Sequence, residues 1–262
     1  MGNNVLLSFD VEEFDMPYEY DNQIPLEDQF AIGINGLNKV VGLVEDNDVI
    51  STFFTTANFA NSFLEDIKNL SIKHEIASHT YFHSDFEINH LHKSKLRLEE
   101  IIGKQIFGIR MPRMMQVDPN EILNAGYLYD ASIHPTFIPG RYCNFDKSRT
   151  IFMEKNGLIR IPASVTPNFR IPLFWLSFKN FPFDLYIYII LQTLRKDKYV
   201  SIYFHPWEFV DITNYNLPSY TTRFSSNDIL LKRLDKLIKI LKLNGDFITM
   251  HDFCSVRFNN KF

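Results

Sequence analysis

Cysteine is nearly absent from this 262-residue chain: only Cys143 and Cys254 occur. They are too far apart to form a metal-binding cysteine pair. A reduced protein is the simpler expectation, with a single Cys143–Cys254 disulfide as the alternative. Neither sign of charge dominates. The net charge is −4, so no general field draws in nucleic acid or an anionic membrane. No apolar run reaches the roughly 20 residues that a transmembrane helix needs. The nearest approach, 183–194, is interrupted by Asp184 and Gln192. A secretory signal is missing too: Val5, Leu6 and Leu7 are too few for its apolar centre, and acidic residues follow at once. Met1-Gly2 opens like a myristoylation site, but Leu6 stands where Ser or Thr is required. These absences predict a cytoplasmic protein, with at most peripheral contact at the inner face of the membrane. No linker, repeat or low-complexity segment divides residues 1–262, which predicts one domain.

What is present alternates between strand and helix patterns. Residues 5–9 read as a strand, and 34–44 as a helix with Ile34, Leu37, Val41 and Val44 on one face. Residues 51–55 are β-branched and aromatic, hence a strand; Phe59, Phe63 and Ile67 then fall at helical spacing. Further strands are expected at 75–77, 107–110, 127–129, 200–204 and 247–250. Helices are expected at 91–102, 119–124 and 225–243, the last capped by Ser225 or Ser226 and ended by Gly245. Such alternation predicts a parallel sheet wrapped by helices, an α/β fold closed into one barrel. In barrels of this kind the chemistry sits on loops after the C-terminal ends of strands.

Four clusters fall at such places. Asp10 and Glu12 are two apart at the end of the first strand, so an extended chain points both the same way. Paired carboxylates there need a cation, a proton or water; the plainer reading is a solvated acidic turn, since Glu13 and Asp15 follow. His79 and His83 are four apart and could reach one ion from a helical turn or a curled loop. Two imidazoles, a carboxylate and water form a common hydrolytic metal set, although two polar loop histidines would look the same. Arg110 ends another strand and could hold a buried carboxylate ionised, or lie on the surface. His205, beside Trp207, is a candidate acid or base with a stacking platform, or a structural histidine. The joint placement of all four lifts each above its plainer reading. His90 and His92 are expected to be solvated and His251 to be structural; His134, close after Asp130, reads as a loop histidine, with a place in the pocket lining as the alternative.

In these motifs the chain resembles the polysaccharide deacetylase family, also called the NodB-homology family or carbohydrate esterase family four. The resemblance rests on Phe9-Asp10-Val11-Glu12, then His74-Glu75-Ile76-Ala77-Ser78-His79 with His83. Gly108-Ile109-Arg110-Met111-Pro112, Tyr129-Asp130-Ala131-Ser132-Ile133 and His205-Pro206-Trp207-Glu208 follow in family order. The branch it resembles is tied to exopolysaccharide and surface-glycan loci. The resemblance implies an irregular (β/α) barrel of about seven parallel strands. It implies His79 and His83 as metal ligands, Asp10 as general base, Arg110 as its support and His205 as general acid. Asp130 would orient that histidine. Many members carry two adjacent Asp in the first motif; here Val11 follows Asp10, which makes Glu12 the expected third ligand.

The implied reaction is metal-dependent removal of acetyl from an N-acetylated amino sugar, with a divalent ion, zinc by expectation, as cofactor. Trp207 and Tyr81 are expected to touch the sugar. Its carrier is expected to be a nucleotide or a lipid. The apolar stretch Ile171-Pro172-Leu173-Phe174-Trp175-Leu176-Ser177-Phe178 either packs over one barrel end or forms a lip for a bilayer. Lys179, Arg195, Lys196 and Lys198 would then meet headgroups. Two rival readings are hydrolysis of another C–N amide, such as a cyclic imide or ureide, and an inactive carbohydrate-binding relative.

Overall fold

The computed structural model describes residues 2–258; Met1, half of the Met1-Gly2 start, lies outside them. The strands are β1 (Asn4–Val11), β2 (Thr52–Thr55), β3 (Glu75–Ser78), β4 (Gly108–Ile109), β5 (Tyr129–Asp130), β6 (Phe137–Ile138), β7 (Tyr142–Cys143), β8 (Phe152–Met153), β9 (Ile159–Arg160), β10 (Tyr199–Phe204) and β11 (Asp246–Phe247). Seven run parallel in the order β10-β1-β2-β3-β4-β5-β9, and β8 adds antiparallel beyond β9. β1 is central. Asn4–Phe9 pair with β10, Ser8–Val11 with β2, and Asn4 and Val5 also with β11. It is buried along nearly its whole length, as a strand covered on both faces must be. Past β9 the chain reaches Ser164, whose N–H donates to the Ser201 carbonyl at 2.8 Å. The Ser201 N–H donates back to Ser164 Oγ at 2.8 Å. Through this exchange the two ends of the sheet meet, and the result is an irregular (β/α) barrel.

The helices are α1 (Leu26–Asp46), α2 (Ala57–Ser62), α3 (Leu64–Lys73), α4 (Asn89–Ile102), α5 (Pro119–Asn124), α6 (Trp175–Asn180), α7 (Phe183–Asp197), α8 (Ser219–Thr222), α9 (Ile229–Lys242) and α10 (Met250–Arg257). One apolar cluster joins the helices to the outside of the sheet, with Leu37, Val40 and Val44 of α1 and Leu230, Leu234, Leu237 and Leu241 of α9. A second fills the barrel: Leu6, Phe54, Ala77, Tyr129, Ile159, Ile161 and Tyr199, closed from below by Met250, Phe253 and Cys254 of α10.

Several expectations are corrected. The helical spacing of Phe59, Phe63 and Ile67 spans two helices, because Phe63 leaves the helical region at φ −135° and ψ 52°. α9 starts at Ile229, and the residue before it, Asp228, has φ 54° and makes no side-chain cap. Neither Ser225 nor Ser226 therefore caps it. The last strand stops at Phe247, and Met250 instead begins α10, where Thr249 Oγ1 accepts from the Asp252 N–H at 3.0 Å. His90 is buried rather than solvated. Both cysteines are free. Among the described residues no helix is long and apolar enough to cross a membrane.

Candidate active site

A cavity of about 300 Å³ opens where the parallel strands end. The inward face of β1 runs Leu6, Ser8 and Asp10 to Glu12 just beyond it, so the alternation that packs the barrel below delivers two carboxylates to the cavity floor. β3 delivers His79, β4 delivers Arg110, and β10 delivers His205. Asp10, Glu12, His79, His83 and His205 all line the cavity.

Glu12, His79 and His83 converge, each offering one ligand atom within 4.8 Å of the others. His79 Nε2 lies 3.0 Å and His83 Nε2 3.1 Å from Glu12 Oε2. The tautomers follow from the opposite ring nitrogens. His79 Nδ1–H donates to the Arg110 carbonyl at 2.7 Å, and His83 Nδ1–H donates to Asp15 Oδ1 at 2.7 Å. Both acceptors lack protons, so each ring spends its Nδ1–H outward and turns Nε2 toward the same carboxylate oxygen, where a neutral ring presents a lone pair and a protonated one an N–H. Acceptors facing acceptors in a buried site repel unless a cation or a proton lies between them. This donor set suits a divalent ion of zinc type. Trp207 Nε1–H holds the other oxygen, Glu12 Oε1, at 3.0 Å. Burial opposes charge on Glu12, but His83, His79 and His205 hold its carboxyl far below the usual range. Burial likewise opposes charge on His83, and Glu12 and Asp15 outweigh it, raising the pKa to about 9.

The His79–His83 segment is a curled loop, not a helical turn. Thr80 sits at φ 63°, a conformation that β-branched residues avoid. The Ser78 Oγ bound to its N–H at 3.2 Å and the Phe82 carbonyl bound to its hydroxyl at 2.8 Å hold it there. Backbone strain of this kind costs about 1–3 kcal/mol and gathers at functional sites.

Asp10 Oδ1 accepts from Arg110 Nη1 at 2.5 Å. Arg110 is itself pinned: Nη2 donates to Ser8 Oγ at 3.0 Å, and its guanidinium lies 4.1 Å from the Phe54 ring centre and 4.9 Å from that of Tyr203. Across the cavity, His205 Nε2 stands 3.9 Å from Asp10 Oδ2. The His205 ring stacks on Trp207 at 4.8 Å and meets the edge of Trp175 at 5.3 Å. Burial would strip its proton; Glu208 above all, then Glu12 and Asp10, push its pKa up instead.

Glu208 is the partner that the sequence reading left without a role. Its Oε1 accepts from His205 Nδ1–H at 3.0 Å and from the His205 backbone N–H at 2.7 Å. Its Oε2 pairs with Lys179 Nζ at 2.9 Å, both side chains being fully buried. Burial raises a carboxyl, yet Lys179 and His205 keep Glu208 below its ordinary value. The three-residue spacing from His205, with Pro206 opening a turn between them, was the available signal. Lys179 joins from a distant segment and left none; Asp15 follows Glu12 by three residues and had the plainer reading of a solvated acidic turn, and Arg113 follows Arg110 by three with no signal of its own.

The expected role of Asp130 is therefore corrected. Asp130 is buried against Arg160 and Ser132, and Glu208 occupies the place beside His205. Tyr81 does not line the cavity. It borders a separate shallow groove with Phe82, His90, Lys93 and Arg97. Trp207 lines the cavity but is only 2% exposed, and its ring serves Glu12 and His205. Phe174 and Trp175 are each 8% exposed and form part of the cavity wall, and Lys179 is wholly buried. The packing reading of that stretch holds, and these side chains offer no lip to a bilayer. His134 is a buried structural residue: Nδ1 meets the Tyr142 hydroxyl at 2.7 Å, and burial lowers its pKa to about 3.

No family model and no curated protein matches the chain. Solved structures do. A probable polysaccharide deacetylase from Pseudomonas aeruginosa PAO1 superposes with a TM-score of 0.68 at 14% identity, over 95% of this chain and 88% of that one. A PuuE allantoinase gives 0.66 at 14% identity, with the same coverage of 95% and 88%. The Xyl-CE4 domain of a multidomain xylanase from the hindgut metagenome of Trinervitermes trinervoides gives 0.51 at 13% identity, over 98% and 92%. The chain shares the fold of these proteins.

Proposed function

We propose that this protein is a metal-dependent N-deacetylase that removes the acetyl group from an N-acetylated amino sugar of a surface glycan or its precursor. The observation that carries this reading is the convergence of two imidazole nitrogens and a carboxylate beside a separately held Asp10 and His205. A divalent ion held by Glu12, His79 and His83, zinc in our reading, would supply Lewis acidity toward water and the acyl oxygen. Arg110 holds the Asp10 carboxylate in place, so that Asp10 can take the proton of the attacking water. His205, held by Glu208, carries its mobile proton on Nε2 and gives it to the departing nitrogen. An amine leaves poorly as an anion, which makes this proton transfer essential. Acetate and a free amino sugar result. An inactive sugar-binding relative would not need base, acid and ligands together in one cavity.

Purified protein supplied with zinc should bind about one ion per chain and release acetate from an N-acetylated sugar. Asp10→Asn should keep the metal and the cooperative melt but lose roughly 10²–10⁴-fold in turnover. Near-normal turnover in Asp10→Asn would refute the assignment of the base, and absence of metal uptake would refute the metal reading. The second reading, opening of a cyclic ureide, draws on the shared fold with the allantoinase. Such a reaction releases no acetate, so the same assay separates the two.

A further inference from the structure

The cavity is a pit rather than a groove. Its floor holds Asp10, Glu12 and His79, all nearly inaccessible, whereas its mouth is set by more exposed side chains on three segments. One is the turn Met16–Tyr20, another the β6–β7 hairpin, the third α8. Arg141 Nη2 donates to Glu19 Oε2 at 2.8 Å, tying the hairpin to the turn. The hydroxyls of Tyr20 and Tyr220 meet at 3.1 Å, tying the turn to α8. A polymer passing through the site needs an open channel on two sides, and these ties close the wall on both sides of the turn. A single sugar ring fits the volume.

The mouth also has a charge character that the floor lacks. Glu19 is shared by two guanidiniums, Arg113 Nε at 2.6 Å and Arg141 Nη2 at 2.8 Å. Arg113 is further engaged by Ser84 Oγ at 3.1 Å and the His83 carbonyl at 3.3 Å, and it meets Asp15 at 3.5 Å. Arg141 has no such company. Its side chain is 49% exposed, it lines the cavity, and Glu19 is its one acidic partner among the described residues. A guanidinium has five N–H donors, and Arg141 spends one on Glu19. The unspent fork is suited to bidentate contact with phosphate or carboxylate oxygens.

We propose that the lip formed by Arg141, with Arg113 and Glu19 beside it, is an anion subsite. It takes the phosphate group of a glycosyl phosphate or diphosphate whose N-acylated sugar occupies the pit. The substrate is then a phosphorylated single sugar and not an internal unit of a neutral polymer. This inference rests on the proposed deacetylase reading for the sugar end and on Arg141 alone for the phosphate end.

The test uses binding as well as turnover. Calorimetry on the zinc-loaded protein would compare a nucleoside diphosphate N-acetylhexosamine, inorganic pyrophosphate and a neutral N-acetylglucosamine oligomer. Arg141→Gln, at an exposed hairpin turn, should weaken the nucleotide sugar and pyrophosphate roughly 10- to 100-fold, the range for losing a charged hydrogen-bond pair. It should not weaken the neutral oligomer, whose access the lost Arg141–Glu19 tie can only widen, and Arg141→Lys should recover part of the loss. A parallel arm with vesicles bearing a polyprenyl diphosphate N-acetylhexosamine tells a lipid carrier from a soluble nucleotide. Either carrier responding to Arg141→Gln supports the subsite. Equal binding by wild type and Arg141→Gln overturns it. Acetate release from the neutral oligomer as efficient as from either phosphorylated sugar overturns it as well, while leaving the deacetylase reading intact. Arg141-dependent binding without acetate release from any of them overturns the deacetylase reading and leaves the subsite standing.

Discussion

At the scale of single residues, the acid half of the site depends on a carboxylate that itself never reaches the cavity. Glu208 touches His205 twice and is neutralised from behind by Lys179. The charges facing His205 are Glu208 on its own turn, Asp10 from β1 and Glu12 just past it, with Lys179 of α6 behind Glu208. Because Glu208 raises the His205 pKa, His205 stays protonated, and able to donate, to higher pH than a free imidazole. In Glu208→Gln that support goes. The alkaline limb of kcat/KM should therefore move to lower pH, with a smaller change at the acid side. The stability that His205 draws from its protonated form should likewise be lost at lower pH as the pH rises. An unmoved alkaline limb in Glu208→Gln would show that His205 is not the titrating acid. Asp10, Glu12 and His79 stood out in the sequence because each sits at or just past the end of a strand, and His83 because it lies four residues beyond His79. Asp130 ends a strand as well. Strand-end position does not say which way a side chain is drawn, and Arg160, one strand over, draws Asp130 away.

At the scale of elements, the approach of α1 to the site is set by two small residues. A Cβ on Gly36 would lie 2.1 Å from the Pro206 carbonyl oxygen and 2.9 Å from the Trp207 nitrogen. On Gly33 it would lie 2.9 Å from the Glu12 carbonyl oxygen. The helix therefore presses on the two turns that carry Glu12 and Trp207, and only hydrogen fits between. Gly36→Ala should cost about 1–3 kcal/mol by overpacking, read as a lowered denaturant midpoint. It should also reduce turnover, since the Pro206 turn holds His205. Unchanged stability would mean that the turn yields freely. The apolar face of α1 was readable from its periodicity. Its start at Leu26 was not, because Gln29 and Gly33 take buried places that a hydrophobic pattern would fill with larger apolar residues. α7 was noticed only as an apolar run, since its exposed side carries Leu185 and Tyr188 among few charges.

At the scale of the whole molecule, the parallel barrel followed from alternating strand and helix patterns, and it is the part of the fold most plainly written in the chain. The mouth of the pit was not legible, because it is assembled from segments near residues 20, 140 and 220 that share no spacing. Metal should act on the fold as a whole. Without an ion, Glu12, His79 and His83 face one another in a buried site, with a proton on His83 standing in for the cation. Zinc at about 100 times its dissociation constant would add about 2.7 kcal/mol of stability. For a chain of this size that is roughly 5–10 °C in Tm. Melting curves with chelator and with added zinc should differ by this order in wild type and hardly at all in His79→Ala. Equal curves in wild type would argue against a resident ion.

The plug formed by α10 has a consequence for traffic. With Met250, Phe253 and Cys254 filling the barrel from below, the pit has no back door among the described residues. If the acyl group is cut at the floor beside Glu12, acetate is born beneath the sugar that brought it. The larger product then stands between the smaller one and the mouth. The amino sugar must leave first and acetate second, so that a fresh substrate queues behind two departures through one doorway.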